Sequence, residues 1–236
     1  MGLNELLLFV TGLLCAGFVF TTWELDRERL YGAIIIFLIL ITSIGGEIVV
    51  FFGHETNTGN IFYASVFLAT YFLIERYGRR EGMHAIWVGV GGVLFFLAVV
   101  QTTVLLTGAG STSTLDAAVF TVFDHAPRVA LASLVAYVLS QNFNVRLYVY
   151  LKHRFNGRWL WLRANLVNAL AQILDSTVFF VIAFWGVVAP ANIGEIIVTG
   201  YVIKVVYMML ASLLLYANSV EQEEEEDYAT ITVRYS

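Results

Sequence analysis

Residues 161–188 read WLRANLVNALAQILDSTVFFVIAFWGVV, and this stretch decides the fold. It is long enough to cross about 30 Å of hydrocarbon at about 1.5 Å per residue, so it reads as a membrane-spanning helix. Polar side chains recur through its first half: Arg163, Asn165, Asn168, Gln172 and Asp175. Asp175 lies twelve residues beyond Arg163, about 18 Å along a helix, and therefore near the middle of a bilayer.

Working outward, six more apolar runs occur, at residues 3–23, 30–52, 61–77, 84–106, 126–151 and 193–216. A barrel strand would instead show about ten residues of alternating polarity, so the spans are helices and the fold class is an all-α polytopic membrane bundle. Composition agrees. Hydrophobic residues make up 59% of the chain and charged ones 13%, too few charges for the surface of a soluble globule. Pro127 falls at the start of the fifth run, where a missing N–H costs nothing. The first run is preceded by Glu5 instead of a basic residue and lacks a small-residue cleavage pattern, so it reads as a span and not a signal peptide. Cys15 sits alone in an apolar run and the four histidines are scattered near span ends, which supports neither a disulfide framework nor a metal site. No cofactor or nucleic-acid motif is present, and no P-loop is available to couple transport to ATP.

Orientation follows from the basic residues. Arg27 and Arg29 fall in the first loop, Arg76, Arg79 and Arg80 in the third, and Lys152, Arg154 and Arg158 in the fifth. The even-numbered loops are free of Lys and Arg up to Arg128. The alternation puts the N-terminus outside and the C-terminus inside. Residues 1–29 then form an additional N-terminal helix with its loop, 30–217 a six-helix core, and 218–236 an acidic cytoplasmic tail containing Glu221 and Glu223 to Asp227.

Ionisable groups inside spans carry the functional signal. An isolated charge at the helix centre costs about 2.5–3.5 kcal/mol on insertion scales. Asp175 and Lys204 both lie near the midplane, so both are expected to face the interior, either as a pair that only fixes helix packing or as the lining of a polar cavity. Gln172 shares the face of Asp175, three positions away, with Asn165 and Asn168 one to two turns nearer the cytoplasm. Span five offers Ser133, Ser140, Gln141 and Asn144; span two offers Thr42, Ser43 and Glu47 beside the Gly45–Gly46 pair, where a broken helix could line a site. Trp159 and Trp161 read as interfacial anchors.

A family resemblance sits on these same segments. Arg128-Val-Ala-Leu-Ala-Ser-Leu-Val-Ala-Tyr-Val-Leu-Ser-Gln141, Trp161-Leu-Arg-Ala-Asn165, Gln172-Ile-Leu-Asp-Ser176 and Ile182-Ala-Phe-Trp-Gly186 resemble the queuosine precursor transporter family, also called vitamin uptake transporters. Phe67-Leu-Ala-Thr70, Glu75-Arg-Tyr-Gly78 and Tyr201-Val-Ile-Lys204-Val resemble its third-span and last-span motifs. Tyr71 and Asn144 stand where the family pattern carries aspartates. The resemblance implies uptake of a deazapurine precursor of queuosine or archaeosine through the cell (inner) membrane by a bundle similar to vitamin-binding S-components. A homo-oligomer or an external energy-coupling module remains open as a partner. It also carries a substrate role onto Thr70, Glu75, Arg128, Gln141, Arg163, Asn165, Gln172, Asp175 and Lys204.

Two rival classes compete. A seven-helix retinal protein would use Lys204 as its linkage residue, but Gly200 stands one turn before it, where a carboxylate counterion is expected. An intramembrane enzyme would need paired carboxylates or histidines near one face; Glu75 and Glu81 read as loop solvation, and no HExxH or Ser/His/Asp arrangement occurs.

Overall fold

The computed structural model describes residues 2–106, 127–184 and 200–213, with single positions at 114, 117, 118, 123 and 198. Its helices are α1 (Leu3–Leu25), α2 (Arg27–Ser43), α3 (Gly59–Tyr77), α4 (Arg79–Val104), α5 (Pro127–Arg154), α6 (Leu160–Phe184) and α7 (Gly200–Leu213), with a hairpin of β1 (Ile48–Phe51) and β2 (His54–Asn57) between α2 and α3. By length and apolarity alone, α1 and α4 qualify as membrane spans among the described residues. The acidic tail and most of residues 107–126 fall outside them, as do the ends expected for the sixth and seventh runs.

Helix α3 is the centre of the bundle. From Ile61 to Ile74 every residue but Tyr63 is buried, which a helix achieves only when surrounded on all sides. Helices α1, α2, α4 and α5 pack against it, and α7 reaches it where the Ser65 and Tyr207 hydroxyls lie 2.8 Å apart. Around this core the outward faces are apolar. On α6, Leu162, Leu166, Leu170 and Ile173 form an exposed stripe at helical spacing, and Leu6, Leu7, Val10, Leu13 and Leu14 do the same on α1. Such a surface is suited to lipid and not to water.

The first helix is joined firmly to the core. Gly12, Cys15, Ala16, Val19 and Trp23 line its buried face. The Trp23 ring lies 5.0 Å from that of Phe72, and Arg76 donates to the Trp23 carbonyl at 2.8 Å while its guanidinium sits over the indole. At the turns, Asp26 caps α2 by accepting from the Arg29 amide at 2.8 Å, and Gly78, at φ 88°, ends α3 and starts α4 in one residue.

The second run departs from expectation. Its helix stops at Ser43, and residues 48–52, expected to complete a span, form β1 and the start of a two-residue hairpin loop, Phe52–Gly53, with positive φ at both positions. The physical cause is the glycine pair. Gly45 lies against Gly59, whose amide donates to the Gly45 carbonyl at 3.0 Å, so α2 ends where two backbones touch. A Cβ on Gly59 would fall 2.8 Å from that carbonyl oxygen, whereas one on Gly46 meets nothing within 4 Å. Gly59→Val therefore destabilises the protein by about 1–3 kcal/mol through overpacking, and Gly46→Ala leaves it unchanged. Thermal melts of the detergent-purified variants check the pair.

Candidate functional site

On α3, Tyr63, Phe67, Tyr71 and Glu75 recur every four residues and so share one face. Helices α5 and α6 form the most extensive helix pair in the bundle, and the polar faces of both meet this stripe. The three faces are in register. Tyr63 and Glu75, Ser140 and Lys152, and Asp175 and Arg163 are each twelve residues apart, and the two sets of three meet at two levels about 18 Å apart.

At the level nearer the basic loops, Glu75 is the hub. One carboxylate oxygen accepts from the Tyr148 hydroxyl at 2.6 Å and the Arg163 guanidinium at 2.7 Å; the other accepts from Lys152 at 2.8 Å. Arg163 is only 1% exposed, lies over the Tyr148 ring and also donates to the carbonyls of Gly157 and Arg158. Glu75 is thus no solvated loop residue, as its place at a span end suggested. Three donors hold it at the end of a buried polar column. Glu81 stays at the edge, accepting from Tyr31.

At the second level, Asp175 is the hub. It accepts from the Tyr63 hydroxyl at 2.5 Å and from Ser140 at 3.2 Å, with the Lys204 ammonium 3.7 Å away and over the Tyr63 ring. Both charged side chains are nearly buried. Asp175 and Lys204 are therefore brought together, facing inward.

Between the levels lies a layer of neutral amides. The Tyr71 hydroxyl donates to Asn144 at 2.7 Å, and Asn144 donates to Gln141 at 3.1 Å. Gln141, Asn168 and Gln172 are fully buried. The Gln141 nitrogen and both polar atoms of Asn168 and of Gln172 find no partner among the described residues. Buried polar atoms are nearly always satisfied in folded proteins, so five unpartnered ones in a single layer make it the candidate for contact with a solute.

The remaining candidates scatter. Thr70 is buried but donates to Val66 of its own helix. Asn165 turns aside to α7, donating to Ser212 at 2.8 Å. Glu47 is exposed in the turn before β1, outside the interior, because the helix expected to carry it inward ends at Ser43. Arg128 lies in the first turn of α5, and its side chain is outside the described set. Sequence reasoning did not single out Tyr63, Tyr148 or Lys152; the four-residue spacing from Tyr63 to Glu75 was the available signal.

A helix bundle with an apolar exterior, and with ion pairs and unsatisfied amides in its interior, is built as a membrane transporter. Comparison with known proteins gives the kind. The family described as "Putative vitamin uptake transporter" matches residues 57–218. The "Probable queuosine precursor transporter" of Bacillus subtilis (strain 168) is 35% identical over 168 residues, 70% of this chain and 72% of that protein. No solved structure matches. The chain belongs to the vitamin uptake transporter family, a family of membrane transporters, and this leaves the retinal-linked reading of Lys204 without support.

Proposed function

We propose that the protein imports a deazapurine precursor of queuosine or archaeosine across the cell (inner) membrane, recognising it within the buried column between Glu75 and Asp175. The observation that carries this reading is the unsatisfied amide layer beside the Asp175–Lys204 ion pair. A carboxylate accepts well from two adjacent ring N–H groups, and an amide N–H donates to a ring carbonyl, so Asp175 with its neighbouring amides suits the polar edge of a flat guanine-like ring. Lys204 neutralises Asp175 when the site is empty and moves aside when substrate binds. The curated relative carries the matching name.

The chain crosses the membrane seven times in this reading, N-terminus outside, with residues 1–29 an addition to the six-helix core of 30–217. Support comes from the gathering of the first, third and fifth loops at one end, where Arg27 approaches Glu81 to 3.7 Å and Lys152 meets Glu75. The family match begins at residue 57, beyond α1 and α2.

Purified protein tested against 7-deazaguanine, adenine and a panel of vitamins is expected to be thermally stabilised by the deazapurine, by about 2.7 kcal/mol at a hundredfold excess over Kd. Stabilisation by a vitamin and by no deazapurine would replace the substrate class.

A further inference from the structure

The amide layer carries a direction. Tyr71 has a hydroxyl that donates to Asn144 Oδ1, which leaves Asn144 Nδ2 to donate to Gln141 Oε1. With the Tyr71 hydroxyl as donor, turning either amide over would set like atoms against each other, so the orientation of both amides is fixed by that one donation. Gln141 is left presenting only its Nε2 group, buried and with no acceptor among the described residues. Asn168 and Gln172 differ: both ends of each are unpartnered, so either can turn to suit what it meets.

We infer that Gln141 is the fixed carbonyl donor of the substrate site, and that Tyr71 and Asn144 are positioning residues that hold its N–H outward. The inference rests on the proposed function and deepens it by naming the group on the ring that is selected. Gln141 shares a face of α5 with Asn144, three positions on, and Asn144 shares one with Ser140, which bonds Asp175, so the donor and the carboxylate border the same polar region. A ring with a carbonyl beside an N–H, the lactam edge of a guanine-type heterocycle, satisfies Gln141 and Asp175 together. A 6-amino ring sets a donor against the Gln141 donor. The relay therefore selects 6-oxo over 6-amino deazapurines, and it does so with neutral groups whose polarity does not change with pH.

The experiment is equilibrium binding of 7-deazaguanine and 7-deazaadenine to the full-length protein in detergent, in the wild type, Gln141→Leu and Tyr71→Phe. The wild type is expected to bind the 6-oxo ring at least about tenfold more tightly, the scale of one satisfied against one opposed hydrogen bond. Gln141→Leu lowers that ratio by about threefold to tenfold by weakening the 6-oxo ligand alone, and the part that comes from Asp175, which loses its ring N–H donors in 7-deazaadenine, remains. Tyr71→Phe, which deletes one hydroxyl, frees Asn144 to turn and lowers the ratio by about threefold or more. A merely structural role for these residues would weaken both ligands equally. If Gln141→Leu does not fold, Tyr71→Phe carries the test, and an unchanged ratio in either variant overturns the inference. Failure of the wild type to bind either ring overturns the proposed function itself, whereas tight binding of both without discrimination leaves import of a deazapurine standing and overturns the reading of the ring edge by Gln141 and Asp175.

Discussion

Replacing Glu75 by glutamine is expected to lower the stability of the bundle by about 3–5 kcal/mol, because it leaves a buried cation without its counter-charge. The size of the effect comes from Arg163 and not from Lys152. Arg163 is 1% exposed, packed over Tyr148 and unable to reach water, while the Lys152 side chain is 32% exposed. A partly exposed pair contributes only about 0–1 kcal/mol. Lys152→Met should therefore change the melting temperature little, and Arg163→Met should cost much more because Glu75 then keeps only its partly exposed partner and Tyr148. Combining Glu75→Gln with Arg163→Met removes both members of the buried pair, and the double variant should lose less than the two single losses added together. Chemical or thermal denaturation of the four proteins in one detergent measures the coupling. Strict additivity would show that Glu75 and Arg163 do not act on each other, and would break the account of this level as a closed end of the column.

The helical bundle was legible because length and apolarity act over whole segments, and single residues cannot reverse them. The inward pairing of Asp175 with Lys204 was legible for the same kind of reason: a midplane charge has few places to go. The hairpin was not. Residues 48–51, Ile-Val-Val-Phe, are apolar and β-branched, and such a run satisfies a buried helix and a strand equally; contact between Gly45 and Gly59, distant partners in a loop, decided it. The error carried Glu47 with it, since a residue's face is inherited from its element. The tyrosines were obscured by company. With twelve tyrosines and eighteen phenylalanines in the chain, ring residues read as lipid-facing bulk, and only the meeting of three helix faces shows that Tyr63, Tyr71 and Tyr148 use their hydroxyls. Asn165 was placed with Asp175 by helical arithmetic, but ten positions turn the helix well off that face, toward Ser212.

Asp175→Asn is expected to reduce uptake of a deazapurine at least about a hundredfold, since hydrogen bonds to a charged acceptor contribute about 1.5–3 kcal/mol each and two ring N–H groups lose theirs. The same substitution leaves Lys204 buried over the Tyr63 ring without a counter-charge, so the protein is also destabilised, and the single variant cannot separate binding from packing. The pair of substitutions can. If Asp175 and Lys204 serve only to join α6 to α7, Asp175→Asn with Lys204→Met removes the stranded charge, restores the melting temperature and restores uptake with it. If Asp175 accepts the ring edge, stability returns while uptake and ligand-dependent stabilisation stay lost, because an amide cannot replace a carboxylate as the double acceptor. Tyr63→Phe separates the two from the other side. It deletes the 2.5 Å bond to Asp175 and keeps the ring beneath Lys204, so a substrate-binding carboxylate becomes easier to draw away from its resting partners and the apparent affinity rises or holds, whereas a packing staple only weakens.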